Sequence, residues 1–168
     1  MLTLDIFVHK EYSMKVREKE EMVIAFCGHS DYVCTLEDER LVLGILEKSV
    51  GNEPCEFFLG EYGGFDRFAY YCAKKFKTVH SNSRLILIIP YINKKTDISE
   101  RHFDECIYPE LEHVPPKYAI SHRNRWIAEQ ADIIIAYITH KYGGAYEMYR
   151  HATNRHKTIY NIAPVHGE

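Results

Sequence analysis

The residues whose types and spacing could do chemistry cluster around glycine. Gly60-Glu61-Tyr62-Gly63-Gly64-Phe65-Asp66 follows the apolar run Phe57-Phe58-Leu59. Phe65, Phe68, Ala69, Cys72, Ala73, Phe76 and Val79 then recur at the i, i+3, i+4, i+7 spacing of a helix lying on a core. A strand, a glycine-rich turn and a helix in that order aim backbone N–H groups and a positive dipole end at an anion. One reading puts a phosphate-bearing ligand above Gly60, Gly63 and Gly64. The other is a tight turn that needs glycine for its geometry alone. A second pair, Gly143-Gly144, opens a further helix with Ala145, Met148, Tyr149 and Ala152 on one face. Two glycine pairs at two helix starts carry more weight together than either alone.

Polar residues accompany these turns. Asp66 lies in the first turn of its helix, where a carboxylate either complements the dipole or binds a ribose hydroxyl. Glu147 has the same two readings and a third, as general base. These two are the catalytic candidates. His29, in Gly28-His29-Ser30, ends the apolar run Met22–Cys27 and is either a hydrogen-bonded structural residue or a catalytic one. Arg123-Asn124-Arg125 opens a short helix. An arginine there could grip a phosphate through two parallel donors, or pair with one of the chain's 24 acidic residues. Tyr62, Tyr91 or Tyr146 could stack on a base.

Other chemistries find less support. The ten His are scattered, and the i, i+4 pair His102 and Cys106 has no second pair beside it, so no metal is expected. No cofactor is implied. No GxSxG elbow marks a serine hydrolase. The basic cluster Arg150-His151-Arg155-His156-Lys157 reads as the polar face of the last helix, with single-stranded DNA as a weaker alternative.

The elements that must position these residues alternate. Expected strands are Met22–Cys27, Glu56–Leu59, Arg84–Ile89, Asp132–Ile138 and Thr158–Ile162. They are continuous apolar runs, as in strands buried on both faces. Between them, Thr35 with Asp38 offers a capping box for a helix to about Val50, which Gly51-Asn52 ends. Ser121–Gln130 is a short helix. Residues 91–120, with Pro109, Pro115 and Pro116, read as a long loop. Residues 1–20 are an extension: Leu2–Val8 could add an edge strand, and the charged stretch after it a solvated helix or linker. The expected fold is therefore α/β, a single three-layer Rossmann-like sandwich with a mainly parallel sheet of about five strands. In such sheets ligands sit beyond the carboxyl ends of the strands, where Gly28, Gly60, Tyr91 and Gly143 all fall.

Composition fits this. A chain of 168 residues, 46% hydrophobic and 27% charged, is an ordinary globular domain. A net charge of −3 gives no overall basic balance for nucleic acid. Five Cys without a CxxC pair suggest reduced thiols and a cytoplasmic setting. No signal peptide or membrane-length apolar run is evident. The 13 Tyr and 8 Phe suit a core, base stacking or contacts in a homo-oligomer.

The combination Phe26-Cys27-Gly28-His29, Gly60-x-x-Gly63-Gly64-Phe65-Asp66, Ile88-Ile89-Pro90-Tyr91, Arg123-Asn124-Arg125-Trp126 with Ala131-Asp132, and Gly143-Gly144 resembles the SLOG superfamily, most of all its small stand-alone YpsA-like branch. The likeness spans roughly residues 22–162. It implies a Rossmann-like sheet with a nucleotide or nucleotide-derivative site at the glycine-rich loops. The superfamily includes the LOG phosphoribohydrolases, DprA and sensor domains for NAD-derived signals. On the resemblance, Gly28, Gly60, Gly63, Gly64, Asp66, Arg123, Asn124, Gly143 and Gly144 take ligand-loop positions. Two departures stand out. Ser30 replaces the branch's frequent Arg. Gly143-Gly144-Ala145-Tyr146-Glu147 lacks the Pro, third Gly and Thr of the hydrolase PGGxGTxxE, and its Glu comes early. The expectation is thus binding of a nucleotide or nucleotide-derived molecule such as an ADP-ribose-type ligand, with an N-glycosidic hydrolase as the alternative and a nucleic-acid module behind it.

Overall fold

A seven-residue strand, β1 (Met22–Gly28), runs through the middle of the molecule with Val23 to Cys27 all buried. The computed structural model describes residues 21–92 and 102–165. The expected edge strand at Leu2–Val8 and the charged stretch Lys10–Glu21, its last residue apart, lie outside them. After β1 come α1 (Leu36–Ser49), β2 (Cys55–Leu59), α2 (Gly64–Val79), β3 (Ser83–Ile88), β4 (Glu105–Ile107), α3 (Ala119–Gln130), β5 (Ile133–Tyr137), α4 (Gly143–Asn154) and β6 (Thr158–Asn161). All neighbouring strands pair parallel, in the order β4-β3-β2-β1-β5-β6.

The side-chain alternation of a strand divides the core in two. Ile24 and Phe26 of β1, with Phe57 and Leu59 of β2, face α1 and α2, where Val42, Leu46, Phe65, Ala69 and Phe76 meet them. Val23, Ala25 and Cys27, with Phe58, face α3 and α4, where Ile127, Ala128, Met148 and Ala152 meet them. Trp126 of α3 lies flat on Phe58, centroids 5.7 Å apart and planes at 1°. This is the three-layer sandwich that the apolar strands predict.

Local signals place the helix ends. Thr35 Oγ1 accepts the Asp38 N–H at 3.1 Å and caps α1, while Gly51 beyond its end takes φ +57°. Among the described residues the sheet has six strands, one more than expected. The added strand, β4, is three residues long and sits inside the expected 91–120 loop, pairing Ile86 with Glu105 and Ile88 with Ile107. A run this short has no readable period. The same stretch also holds a 3-10 turn at Pro116–Tyr118 and the start of α3 at Ala119, two residues earlier than expected. Among the described residues no helix is long and apolar enough to cross a membrane.

β1 pairs with β2 on one side and β5 on the other. The chain winds outward from β1 through β2, β3 and β4, then returns to lay β5 and β6 on the opposite side. The crevice beyond the carboxyl ends of β1 and β5 is therefore the topological switch point.

Candidate functional site

A cavity of about 410 Å³ opens at that switch point, within the range usual for small-ligand sites. Besides Tyr62, it is lined by nine residues singled out in the sequence: Gly28, His29, Ser30, Gly60, Asp66, Arg123, Asn124, Gly143 and Gly144. Gly63, Gly64, Tyr91 and Glu147 lie off it. Tyr62 lines the cavity, whereas Tyr146 does not.

The two glycine pairs, alike in sequence, do different work. At the start of α2, Gly63 has φ +102°, and a Cβ there would stand 2.6 Å from Ser30 Cα. A Cβ on Gly64 would stand 2.2 Å from the Tyr32 carbonyl oxygen. The Gly64 N–H already donates to the Ser30 carbonyl at 2.7 Å. Asp66 Oδ2 accepts the Tyr62 N–H at 2.8 Å and puts a carboxylate over the positive helix end. This turn is glycine-rich so that it can pack on the loop after β1, and its own acid occupies the place of an anion.

The start of α4 is the opposite case. Gly143 has φ +87°, and apart from its chain neighbours and its own helix backbone no atom lies within 4 Å of where its Cβ would be. The nearest neighbour to a Cβ on Gly144 is Asn124 Nδ2, at 3.9 Å. The N-cap, Tyr142, makes no side-chain cap, and the first turn holds no acidic residue. No acidic residue of its own first turn covers this helix end, whose Gly143 and Gly144 face the cavity.

Arg123 stands between the two. It is 3% exposed, and its Nη1 donates to the Ile88 carbonyl at 3.1 Å. Its guanidinium lies 5.4 Å from the centre of the Tyr62 ring. A Cβ on Gly60 would meet Asp66 Oδ2 at 2.7 Å and Arg123 Nη1 at 2.8 Å, so carboxylate and guanidinium share the space that Gly60 leaves. Nε is buried without a hydrogen-bond partner. Burial pushes the Arg123 pKa down, with Asp66 and the tyrosines opposing. An arginine remains charged regardless.

His29 is buried at the end of β1, and its Nε2 accepts the Thr139 N–H at 3.1 Å. Burial, then the neighbouring His140, push its pKa below the usual value. The Cys27 thiol, on the cavity wall, donates to the Ala145 carbonyl at 2.9 Å. Burial, followed by Asp66, pushes its pKa up to about 12, so it is no nucleophile at neutral pH. Gly28 serves packing: a Cβ would stand 2.2 Å from Cγ of Phe65. Glu147 points away and pairs with Arg150 at 2.6 Å on the exposed face of α4. Among the described residues no group of three or more His, Cys, Asp and Glu could hold a metal ion.

The cavity also holds Asp31, His140 and Tyr142, which sequence reasoning passed over. Tyr142 had a signal, since it directly precedes Gly143-Gly144 and so falls at the N-cap. His140 had none beyond its closeness to that turn.

The chain matches no protein-family model, and no curated protein matches it. Solved structures do. DNA processing protein A (DprA) from Streptococcus pneumoniae is 16% identical with a TM-score of 0.61, over 87% of this chain and 52% of that one. The Helicobacter pylori DNA processing protein A is 17% identical at 0.59, over 89% and 69%. The molybdenum cofactor binding protein of Rippkaea orientalis is 18% identical at 0.56, over 83% and 74%. The chain thus spans about half the length of the Streptococcus pneumoniae protein. It shares with these proteins a Rossmann-like α/β fold.

Proposed function

We propose that this domain binds a nucleotide or a nucleotide-derived small molecule, an ADP-ribose-type ligand among them, in the cavity beyond β1 and β5. The observation that carries the proposal is the α4 N-terminus. Gly143 and Gly144 leave it open to the cavity, its first turn holds no carboxylate of its own, and buried Arg123 lines the same cavity. A phosphate on these N–H groups would receive several donors and a favourable dipole. Asp66, already held by the Tyr62 N–H, is placed to accept from a sugar hydroxyl. One phosphate site is proposed rather than two, because Asp66 would repel a second anion at α2. A mononucleotide suits a cavity of about 410 Å³.

Isothermal titration against a panel of nucleoside mono- and diphosphates, ADP-ribose and NAD tests this. Wild type is expected to bind at least one of them. Gly144→Asp, which puts a carboxylate into open space at the helix end, is expected to abolish that binding while leaving thermal stability unchanged or raised. Failure of every ligand to bind, or unchanged binding by Gly144→Asp, contradicts it.

The single-stranded DNA binding described for the Helicobacter pylori protein favours a second reading, with nucleic acid over the same cavity. The net charge of −3 weighs against it. DNA affinity that falls steeply with salt, exceeding that for any mononucleotide, would decide for DNA.

A further inference from the structure

Three aromatic rings at the cavity stack in a row that phosphate binding does not explain. His29 and His140 lie with centroids 3.5 Å apart and planes at 16°. His140 and Tyr142 follow at 3.8 Å and 20°. The inner end is fixed. His29 is 6% exposed, and the Thr139 N–H on its Nε2 sets the neutral tautomer with its proton on Nδ1. The middle ring pays no attention to hydrogen bonding: His140 Nδ1 is buried without a partner. His140 makes ring contacts on its two faces, with His29 and Tyr142. The outer end is open. Tyr142 is 70% exposed, yet it lines the cavity beside Gly143 and Gly144.

A large ring supported from behind and bare in front is poor core packing and a good stacking surface. The other tyrosines considered fit less well. Tyr91 and Tyr146 do not line the cavity, and Tyr62 already lies beside the Arg123 guanidinium.

We propose that Tyr142, backed by His140 and His29, is the platform on which the ligand's planar heteroaromatic base stacks, as the fourth ring of the row. This rests on the nucleotide-binding proposal and specifies it: the ligand carries its base, and a bare sugar phosphate is a poor substitute. Because Tyr142 is the N-cap of α4, the base lies near the helix end that takes the phosphate. Stacking accepts any base, so purines and pyrimidines should both bind, purines more tightly through larger overlap.

The test is isothermal titration of the full chain with AMP, CMP and ribose 5-phosphate. Wild type is expected to bind AMP roughly tenfold or more tighter than ribose 5-phosphate. Tyr142→Ala should bring AMP affinity down to that of ribose 5-phosphate, whereas Tyr142→Phe keeps the wild-type gap. Equal wild-type affinity for AMP and ribose 5-phosphate overturns the platform and leaves the phosphate site standing. So does a gap that survives Tyr142→Ala. If none of the three ligands binds, the platform falls, and the nucleotide proposal then stands or falls on the diphosphates, ADP-ribose and NAD.

Discussion

Arg123 and Asp66 show how little a residue's type says about its role until its neighbours are known. Both were open to a structural or a ligand reading in the sequence. The structure puts them side by side over Gly60, with Asp66 also holding the Tyr62 N–H. The cysteines and His29 yield predictions of their own. Cys27 and Cys72 are pushed to about 12 and Cys106 to about 11, chiefly by burial, and Cys55 is raised for the same reason. Cys34 is exposed. A thiol reagent such as DTNB at pH 8 should therefore label a single cysteine quickly in the native protein, and Cys34→Ser should remove that fast phase. His29 predicts a pH effect. Its folded pKa lies below the unfolded value of about 6.5, so the unfolded chain binds more protons in that range. Its contribution is intact above that value and is lost as pH falls through it. His29→Gln should lose less thermal stability than wild type between pH 7.5 and 5.5. An equal loss would show that His29 is not responsible.

At the scale of elements, the strands and helices were legible because burial on both sheet faces and a 3.6-residue period leave direct marks on the sequence. The stripe from Phe65 to Phe76 and the Thr35 cap are examples that stand in the structure, whereas Val79, expected on the same face, is exposed in the last turn of α2. β4 was not legible, because three residues pair only when β3 offers its edge. The roles of the two glycine turns were not legible either. What distinguishes them is the Ser30–Tyr32 loop, which presses on Gly63 and Gly64 and leaves Gly143 and Gly144 clear. That is tertiary information. Gly64→Ala and Gly28→Ala should each cost about 1–3 kcal/mol through overpacking, seen as a lower midpoint in thermal or urea unfolding. Gly144→Ala should be neutral or slightly stabilising, since nothing crowds it and alanine favours the helix. Equal destabilisation at all three positions would contradict this division between a packed turn and an open one.

Across the whole molecule, the parallel order β4-β3-β2-β1-β5-β6 brings the loops after β1, β2 and β5 around one crevice. Residues more than 100 positions apart, such as His29 and His140, meet there because β1 and β5 are neighbours. Chain order alone suggested two equivalent anion turns on one sheet edge. The assembled crevice is asymmetric, with an open helix end at α4, an acid-covered one at α2 and Arg123 between them. That asymmetry is the central claim, and backbone amide shifts in a ¹H–¹⁵N NMR titration with AMP test it most directly. The account predicts that the Gly143, Gly144 and Ala145 amides move on titration while those of Gly63 and Gly64 stay in place. Shifts centred on Gly63 and Gly64, or no shift at the start of α4, would contradict it.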